Sequence, residues 1–214
     1  MLLVRRRHAG RTPGVGVSGA SIRILAGNRV APHLDDLARL RIAVFRDYPY
    51  LYDGDPDYER RYLATYAGHP GSVFVLAIAD GVVVGASTGV PMAGEPEAVQ
   101  APWRSAGVDP AGVFYFGESV LLPRWRGQGI GHAFFDAREA HARALGGFRL
   151  TSFCAVERPS DHPARPPHWR PLDGFWQSRG YRRHDGLACT LHWREVGDAE
   201  DTPHRLAFWS RPLP

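Results

Sequence analysis

The stretch of this 214-residue chain best suited to hold an anion is Arg126-Gly127-Gln128-Gly129-Ile130-Gly131. An apolar run of strand character, Phe114–Leu122, precedes it and stops at Pro123. Beyond it Ile130, Ala133, Phe134, Ala137 and Ala140 recur at helical spacing, so the turn opens an amphipathic helix. A strand that delivers a glycine-rich turn to a helix N-terminus gathers unpartnered N–H groups at the positive end of the macrodipole. That arrangement suits a phosphate or pyrophosphate. Glu118 is the carboxylate on the strand. Counting by two places Phe114, Phe116, Glu118, Val120 and Leu122 on one face, where apolar neighbours would desolvate the carboxylate and make it a general base. The competing expectation is a structural ion pair between Glu118 and an arginine on an adjacent strand.

Two familiar phosphate loops do not fit. A Walker A loop ends in Gly-Lys-Ser/Thr, whereas His132 follows Gly131 and the chain has no lysine. A dinucleotide fingerprint is G-x-G-x-x-G, and here the glycines are spaced G-x-G-x-G. The stretch resembles the Arg/Gln-x-x-Gly-x-Gly/Ala loop of the GNAT superfamily, the acyl-CoA-dependent N-acetyltransferases, with Arg126, Gly129 and Gly131 in register. A second segment, Gly174-Phe175-Trp176-Gln177-Ser178-Arg179-Gly180-Tyr181, resembles the family's late Phe-Tyr-x-x-x-Gly-Phe. Trp176 stands where the family often has tyrosine.

The resemblance implies an acetyl-CoA site. Arg126, Gly127, Gln128, Gly129, Ile130 and Gly131 would hold the CoA pyrophosphate. Val120, Leu121 and Leu122 would pair with the pantetheine arm, a strand N–H near Leu121 would polarise the thioester, and Trp176 would pack on that arm or fill core. Some members carry a base glutamate on this strand slightly earlier than Glu118, so that role carries over by face rather than by position. Where the family uses tyrosine as the acid for the thiolate, Trp176 leaves the role vacant; Tyr48, Tyr50, Tyr52 and Cys154 are the candidate substitutes, although Cys154 reads better as a small buried side chain in a strand.

Composition narrows the partners. The apolar fraction of 44% and charged fraction of 22% are those of a globular protein. No apolar run approaches the ~20 residues of a membrane span. The formal charge of +4 is carried by Arg5, Arg6, Arg7 and Arg11, so 21–214 is formally neutral and shows no global nucleic-acid footprint. Residues 1–20 read as a disordered basic leader and 21–214 as one domain. The chain has two cysteines without C-x-x-C spacing, which points away from zinc and disulfides and toward the cytoplasm. His162 and His168 are not spaced as a metal pair, and no metal is expected.

In order, the chain reads as a strand at 21–26, helices at about 32–46 and from Asp55-Pro56, and a hairpin at 72–91 turning on Asp80-Gly81. A loop-like stretch follows over 93–112, with a helical turn near Ala98–Arg104. Then come the strand, turn and helix of 113–145, a strand at 148–155, a helix at 173–179, and strands at about 187–196 and 205–211. The fold class is α/β (mixed α+β): a GNAT fold with a mixed sheet of about seven strands and helices on both faces. Residues 156–172 hold five prolines and form a long polar loop. This loop, through Arg158 and Arg165, and the aromatic loop of Tyr50 and Tyr52 are the candidates for gripping an acceptor; a structural arm or homodimer contact is the alternative. The resulting expectation is acetyl transfer from acetyl-CoA to a small-molecule amine by direct attack, because no residue has the setting of an acyl nucleophile. A catalytically silent acyl-CoA sensor and a protein- or RNA-directed acetyltransferase are the other readings.

Overall fold

The computed structural model describes residues 16, 17 and 19–214. The remainder of the expected leader lies outside the described residues. In chain order the strands and helices are β1 (Gly16–Val17), β2 (Ala20–Ala26), α1 (Leu34–Phe45), α2 (Pro56–Gly68), β3 (Val73–Ala79), β4 (Val82–Pro91) and α3 (Glu97–Ser105). They continue with β5 (Val113–Tyr115), β6 (Ser119–Leu121), α4 (Ile130–Leu145), β7 (Leu150–Val156), α5 (Asp173–Ser178), β8 (Arg182–Trp193) and β9 (Thr202–Pro212). The strands form one sheet in the order β1-β2-β3-β4-β5-β7-β9-β8, with β6 also on β4. All pairings are antiparallel except β5 with β7. Taken as one interrupted strand, β5 and β6 leave the expected strands plus the short β1. The expected mixed sheet is the architecture found.

Each local signal has a visible cause. Asp55 caps α2 by accepting from the Tyr58 N–H, with Pro56 in the first turn. Asp80 and Gly81 both have positive φ, 49° and 79°, as a two-residue hairpin turn demands. One face of the sheet packs on α4 and α5 through Val73, Val75, Val84, Phe114, Phe116, Phe134 and Phe153. The opposite face packs on α1 and α2 through Leu37, Leu40, Leu63, Phe74, Leu76 and Val120. Farther along the sheet that face carries α3. Each fully buried large side chain there contributes roughly 1.5–3 kcal/mol.

Within the stretch expected to be loop-like, 93–112, the helical turn expected near Ala98–Arg104 is a full helix, α3. Pro102 inside it masks the helical pattern, and the helix is sustained by burial of Val99 and Trp103, the latter edge-on to Phe208 at 5.4 Å. Tertiary packing overrides local propensity here.

A second departure matters more. Gly117 and Glu118 both oppose Thr88: the Gly117 N–H donates to the Thr88 carbonyl at 3.2 Å, and the Thr88 N–H donates to the Glu118 carbonyl at 3.1 Å. This is a β-bulge, and it reverses the alternation of the strand. Phe114 and Phe116 therefore lie with α4, whereas Val120 lies with α1 and α2. The single face expected for Phe114, Phe116, Glu118, Val120 and Leu122 does not exist.

Candidate functional site

The bulge divides two pairings. Before it, β5 runs parallel to β7 as far as Tyr115 opposite Ser152, and the Phe116 N–H makes the last bond, 2.7 Å to the Ser152 carbonyl. After it, β6 pairs with β4 alone, while β7 goes on beside β9. The sheet therefore splays between β6 and β7 into a wedge. Along β6 the Glu118 carbonyl and the Leu122 N–H bond to β4, the latter to Val84 at 3.0 Å, so the intervening Val120 also turns its main chain toward β4. Ser119 and Leu121 turn theirs into the wedge. Of Val120, Leu121 and Leu122, only Leu121 thus has its main-chain N–H on the open side, and Ser119 joins it. Ser119 was not singled out in the sequence, because what turns its main chain into the wedge is a bulge set by the distant Thr88.

The wedge leads to the glycine turn. Gly129 is the residue before α4, at φ 84°, a left-handed conformation that favours glycine. The first helical bond at this end is from the Ala133 N–H to the Gly129 carbonyl. From Gly127 to His132 no main-chain N–H finds an acceptor among the described residues. Arg126 ties the turn to β6, its Nε donating to the Leu121 carbonyl at 3.1 Å, and its terminal nitrogens have no partner among the described residues. Gln128 secures the turn through the Arg124 carbonyl at 2.8 Å. These unpartnered donors at a helix start, beside a free cation, fit a pyrophosphate.

On the α1 and α2 side of the wedge lies a buried polar cluster. Arg41 forms ion pairs with both Glu118 and Glu59. The ion pair considered for Glu118 is present, but its arginine comes from a helix and not from an adjacent strand. Burial works against the Arg41 charge; Glu118, Tyr62 and Glu59 outweigh it and hold the guanidinium above its ordinary value. Glu118 spends Oε2 on this pair, and Oε1 has no hydrogen bond among the described residues. Arg41 and Glu59 occupy stripe positions of their helices, one four residues after Leu37 and the other four before Leu63. A charge in an apolar stripe was the sequence signal that could have found them.

Tyr66 and Glu95 extend the cluster. The Tyr66 hydroxyl donates to Glu95 and lies 2.9 Å from where a Cβ at Gly117 would stand, so glycine at the bulge leaves room for the ring. Burial, opposed by the Tyr66 bond and reinforced by Glu118, pushes the Glu95 carboxyl up to about 7. Tyr115 shares a 2.9 Å hydrogen bond with Cys154. Contact with Cys189 and burial push the Cys154 thiol up, so it stays protonated.

The other residues singled out from sequence divide. Tyr50 packs between Phe45 and Trp193 at 4.6 and 5.7 Å, and burial raises its hydroxyl above the usual range. Burial and the neighbouring Glu59 raise that of Tyr52. Tyr50 thus packs on Phe45, over whose ring the Arg41 guanidinium lies at 5.0 Å. Arg158 is spent on structure: Nε donates to the Pro49 carbonyl at 2.7 Å, the terminal nitrogen to the Tyr50 carbonyl at 3.1 Å, and the guanidinium pairs with Glu195. Arg165 lies on the 156–172 loop over Trp169, and His162 and Trp169 pack against Tyr48. Trp176 is wedged against Phe153 and Trp209 at 5.0 and 5.1 Å, on the α4 side of the sheet.

The site is thus a sheet splayed beside a bulge and leading to an anion cradle at a helix start. The family model described as Acetyltransferase (GNAT) family matches residues 37–183, and the chain belongs to that family. No curated protein matches the chain in sequence. Among solved structures, an acetyltransferase from Streptococcus agalactiae 2603 is 15% identical with a TM-score of 0.56, over 92% of this chain and 99% of that one. A phosphinothricin acetyltransferase from Sinorhizobium meliloti in complex with AcCoA is 18% identical with a TM-score of 0.54, over 91% and 89%. A ribosomal-protein-alanine N-acetyltransferase from Brucella melitensis is 15% identical with a TM-score of 0.55, over 89% and 99%. Identities this low speak for the fold alone. Among the described residues no helix is long and apolar enough to cross a membrane.

Proposed function

We propose that this acetyltransferase moves the acetyl group of acetyl-CoA onto a small-molecule amine by direct attack in a ternary complex. The observation that carries this reading is the continuous track of unpartnered main-chain donors, from Ser119 and Leu121 to Gly127–His132. The Sinorhizobium meliloti structure, solved in complex with AcCoA, supports the choice of donor. Acetyl-CoA supplies an activated acyl group. The amides of Gly127–His132 and the Arg126 guanidinium bind its pyrophosphate, while the Leu121 N–H anchors the pantetheine arm. The Ser119 N–H faces the thioester oxygen and stabilises negative charge there.

The acceptor lies on the α1 and α2 side, among Glu118, Tyr50, Tyr52 and Tyr62. Carboxylates and phenol rings suit a cationic amine. Glu118 accepts the amine proton at Oε1 while Arg41 holds Oε2, so the base is oriented before the substrate arrives. Trp176 has no hydroxyl to protonate the thiolate, and contact with Cys189 and burial make the Cys154 thiol hold its proton, so solvent or the incoming ammonium supplies it. Both cysteines are free thiols, which fits the reducing cytoplasm.

The test is release of free CoA from acetyl-CoA across a panel of primary amines, amino acids and short peptides. Turnover with a small amine supports the reading. Turnover with peptides alone would replace the acceptor assignment, and acetyl-CoA binding without any turnover would make the protein a silent relative.

A further inference from the structure

Arg138 is 1% exposed, lies on α4 beneath the bulge, and has no carboxylate within ion-pair distance among the described residues. Its guanidinium lies over both Phe116 and Phe135, which meet edge to face, with ring centroids at 4.1 and 4.8 Å. Nε donates to the Phe134 carbonyl at 3.2 Å, and one terminal nitrogen donates to the carbonyls of Thr88 and Glu118 at 3.2 and 3.1 Å. The other terminal nitrogen is buried without a partner. Burial pushes the group down only to about 10, so it stays charged at neutral pH.

A buried charge without a counter-ion is costly, and an apolar side chain could pack against the same two rings. What the cation does locally is specific. It withdraws electron density from the Glu118 carbonyl, which belongs to the same peptide as the Ser119 N–H. In a low-dielectric interior such chains of hydrogen bonds reinforce one another. Charge behind the carbonyl makes the N–H ahead of it a stronger donor, and that N–H points into the wedge between β6 and β7. The two bonds to Thr88 and Glu118 also pin the bulge that aims it.

We propose that Arg138 is a positioning residue that polarises the Glu118–Ser119 peptide, strengthening the Ser119 N–H as the donor to the thioester oxygen. The proposal rests on the acetyl-CoA reading of the wedge. It concerns the strength of the donor and not the binding of CoA, so kcat and KM separate it from a merely structural role.

The experiment compares the wild type with Arg138→Met and Arg138→Lys, using acetyl-CoA labelled with 13C at the thioester carbonyl. It reads kcat, both KM values, the infrared carbonyl stretch of the bound label without acceptor, and the 15N shift of the Ser119 amide in free protein. Removing an oxyanion donor outright typically costs ~10²–10³-fold, so losing its polarisation in Arg138→Met should lower kcat by about ten- to a hundredfold. KM for acetyl-CoA stays within about twofold, as expected for an interaction that strengthens only in the transition state. The bound carbonyl stretch moves back toward its value in water, and the Ser119 15N resonance moves upfield. Arg138→Lys, a cation with fewer donors, recovers part of kcat and part of both spectroscopic shifts. Should Arg138→Met not fold, Arg138→Lys alone must still show reduced kcat at unchanged KM. Wild-type kcat, carbonyl stretch and Ser119 shift in every folded variant overturn the proposal while leaving the acetyl-CoA site intact. A wild type that does not bind acetyl-CoA overturns both.

Discussion

Arg41, on the buried stripe of α1, forms an ion pair with Glu118 at the sheet bulge, and the same guanidinium takes Glu59 from α2. One cation thus joins two helices to the strand edge where the wedge opens. Arg138 holds the carbonyl of the same glutamate from the opposite face of the sheet at 3.1 Å. Removal of Glu118 charge therefore has two readable consequences. Glu118→Gln should lower kcat by ~10²–10⁴-fold, the usual contribution of a general base, with acetyl-CoA affinity retained. It should also destabilise the fold by about 1–3 kcal/mol, since Arg41 keeps Glu59 but loses a charged partner. Single-turnover kinetics beside urea unfolding measure both. Wild-type kcat in a destabilised Glu118→Gln would leave the residue as an ion pair only.

Glu95 makes stability depend on pH in an uncommon direction. Its folded value of about 7 lies above the ordinary 4.5, because burial disfavours the charged form. The folded state therefore binds the extra proton. The contribution of Glu95 is fully present below about 4.5 and is lost as pH rises through about 7. Glu95→Gln, which still accepts from Tyr66, should match the wild type near pH 5. Near pH 8.5 it should be more stable by on the order of 2–3 kcal/mol. Urea unfolding at the two pH values checks this; an equal difference at both would mean that Glu95 is ionised throughout.

The glycine turn is best tested at Gly131. Gly129 sits at φ 84°, where any side chain adds backbone strain. At Gly131 an added Cβ would meet only Phe175, at 3.4 Å, an ordinary contact. Acetyl-CoA at ~100-fold over Kd should stabilise the wild type by about 2.7 kcal/mol. Gly131→Glu puts a carboxylate on the amides meant for pyrophosphate and should abolish that gain without unfolding the protein. Thermal unfolding with and without acetyl-CoA decides it; an undiminished shift in Gly131→Glu would move the site elsewhere.

The two arginines of the 156–172 loop should behave differently. Arg158→Ala releases the Pro49 and Tyr50 carbonyls and leaves Glu195 with only His204 beside it, a loss of about 2–4 kcal/mol. Arg165 donates to the Ser160 carbonyl at 2.9 Å and stacks on Trp169 near the surface. Arg165→Ala should cost under about 1 kcal/mol, and an effect on the acceptor KM would assign the 156–172 loop to substrate selection. Unfolding midpoints and acceptor kinetics of the two variants provide the comparison.

The sequence by itself determined the features that depend on residues close along the chain. The anion cradle at Arg126–Gly131, the cap at Asp55 and the hairpin at Asp80-Gly81 rest on contacts within about four residues, so spacing alone spells them out. From those came the family resemblance that the match over 37–183 bears out. Only the tertiary structure decided which groups enter the wedge. The bulge exists because Thr88, on another strand, bonds to both Gly117 and Glu118, and Arg138, from α4, holds it in place. One extra residue there turns the main chain of Ser119 and Leu121 toward the cleft and the side chain of Glu118 toward Arg41. Alternation read along the strand has no way to register it, because a period of two is reset by a partner thirty residues away. Arg158 is the same lesson in a loop. Its charge and position suggested substrate, and the carbonyls of Pro49 and Tyr50, brought beside it by folding, take up its hydrogen bonds.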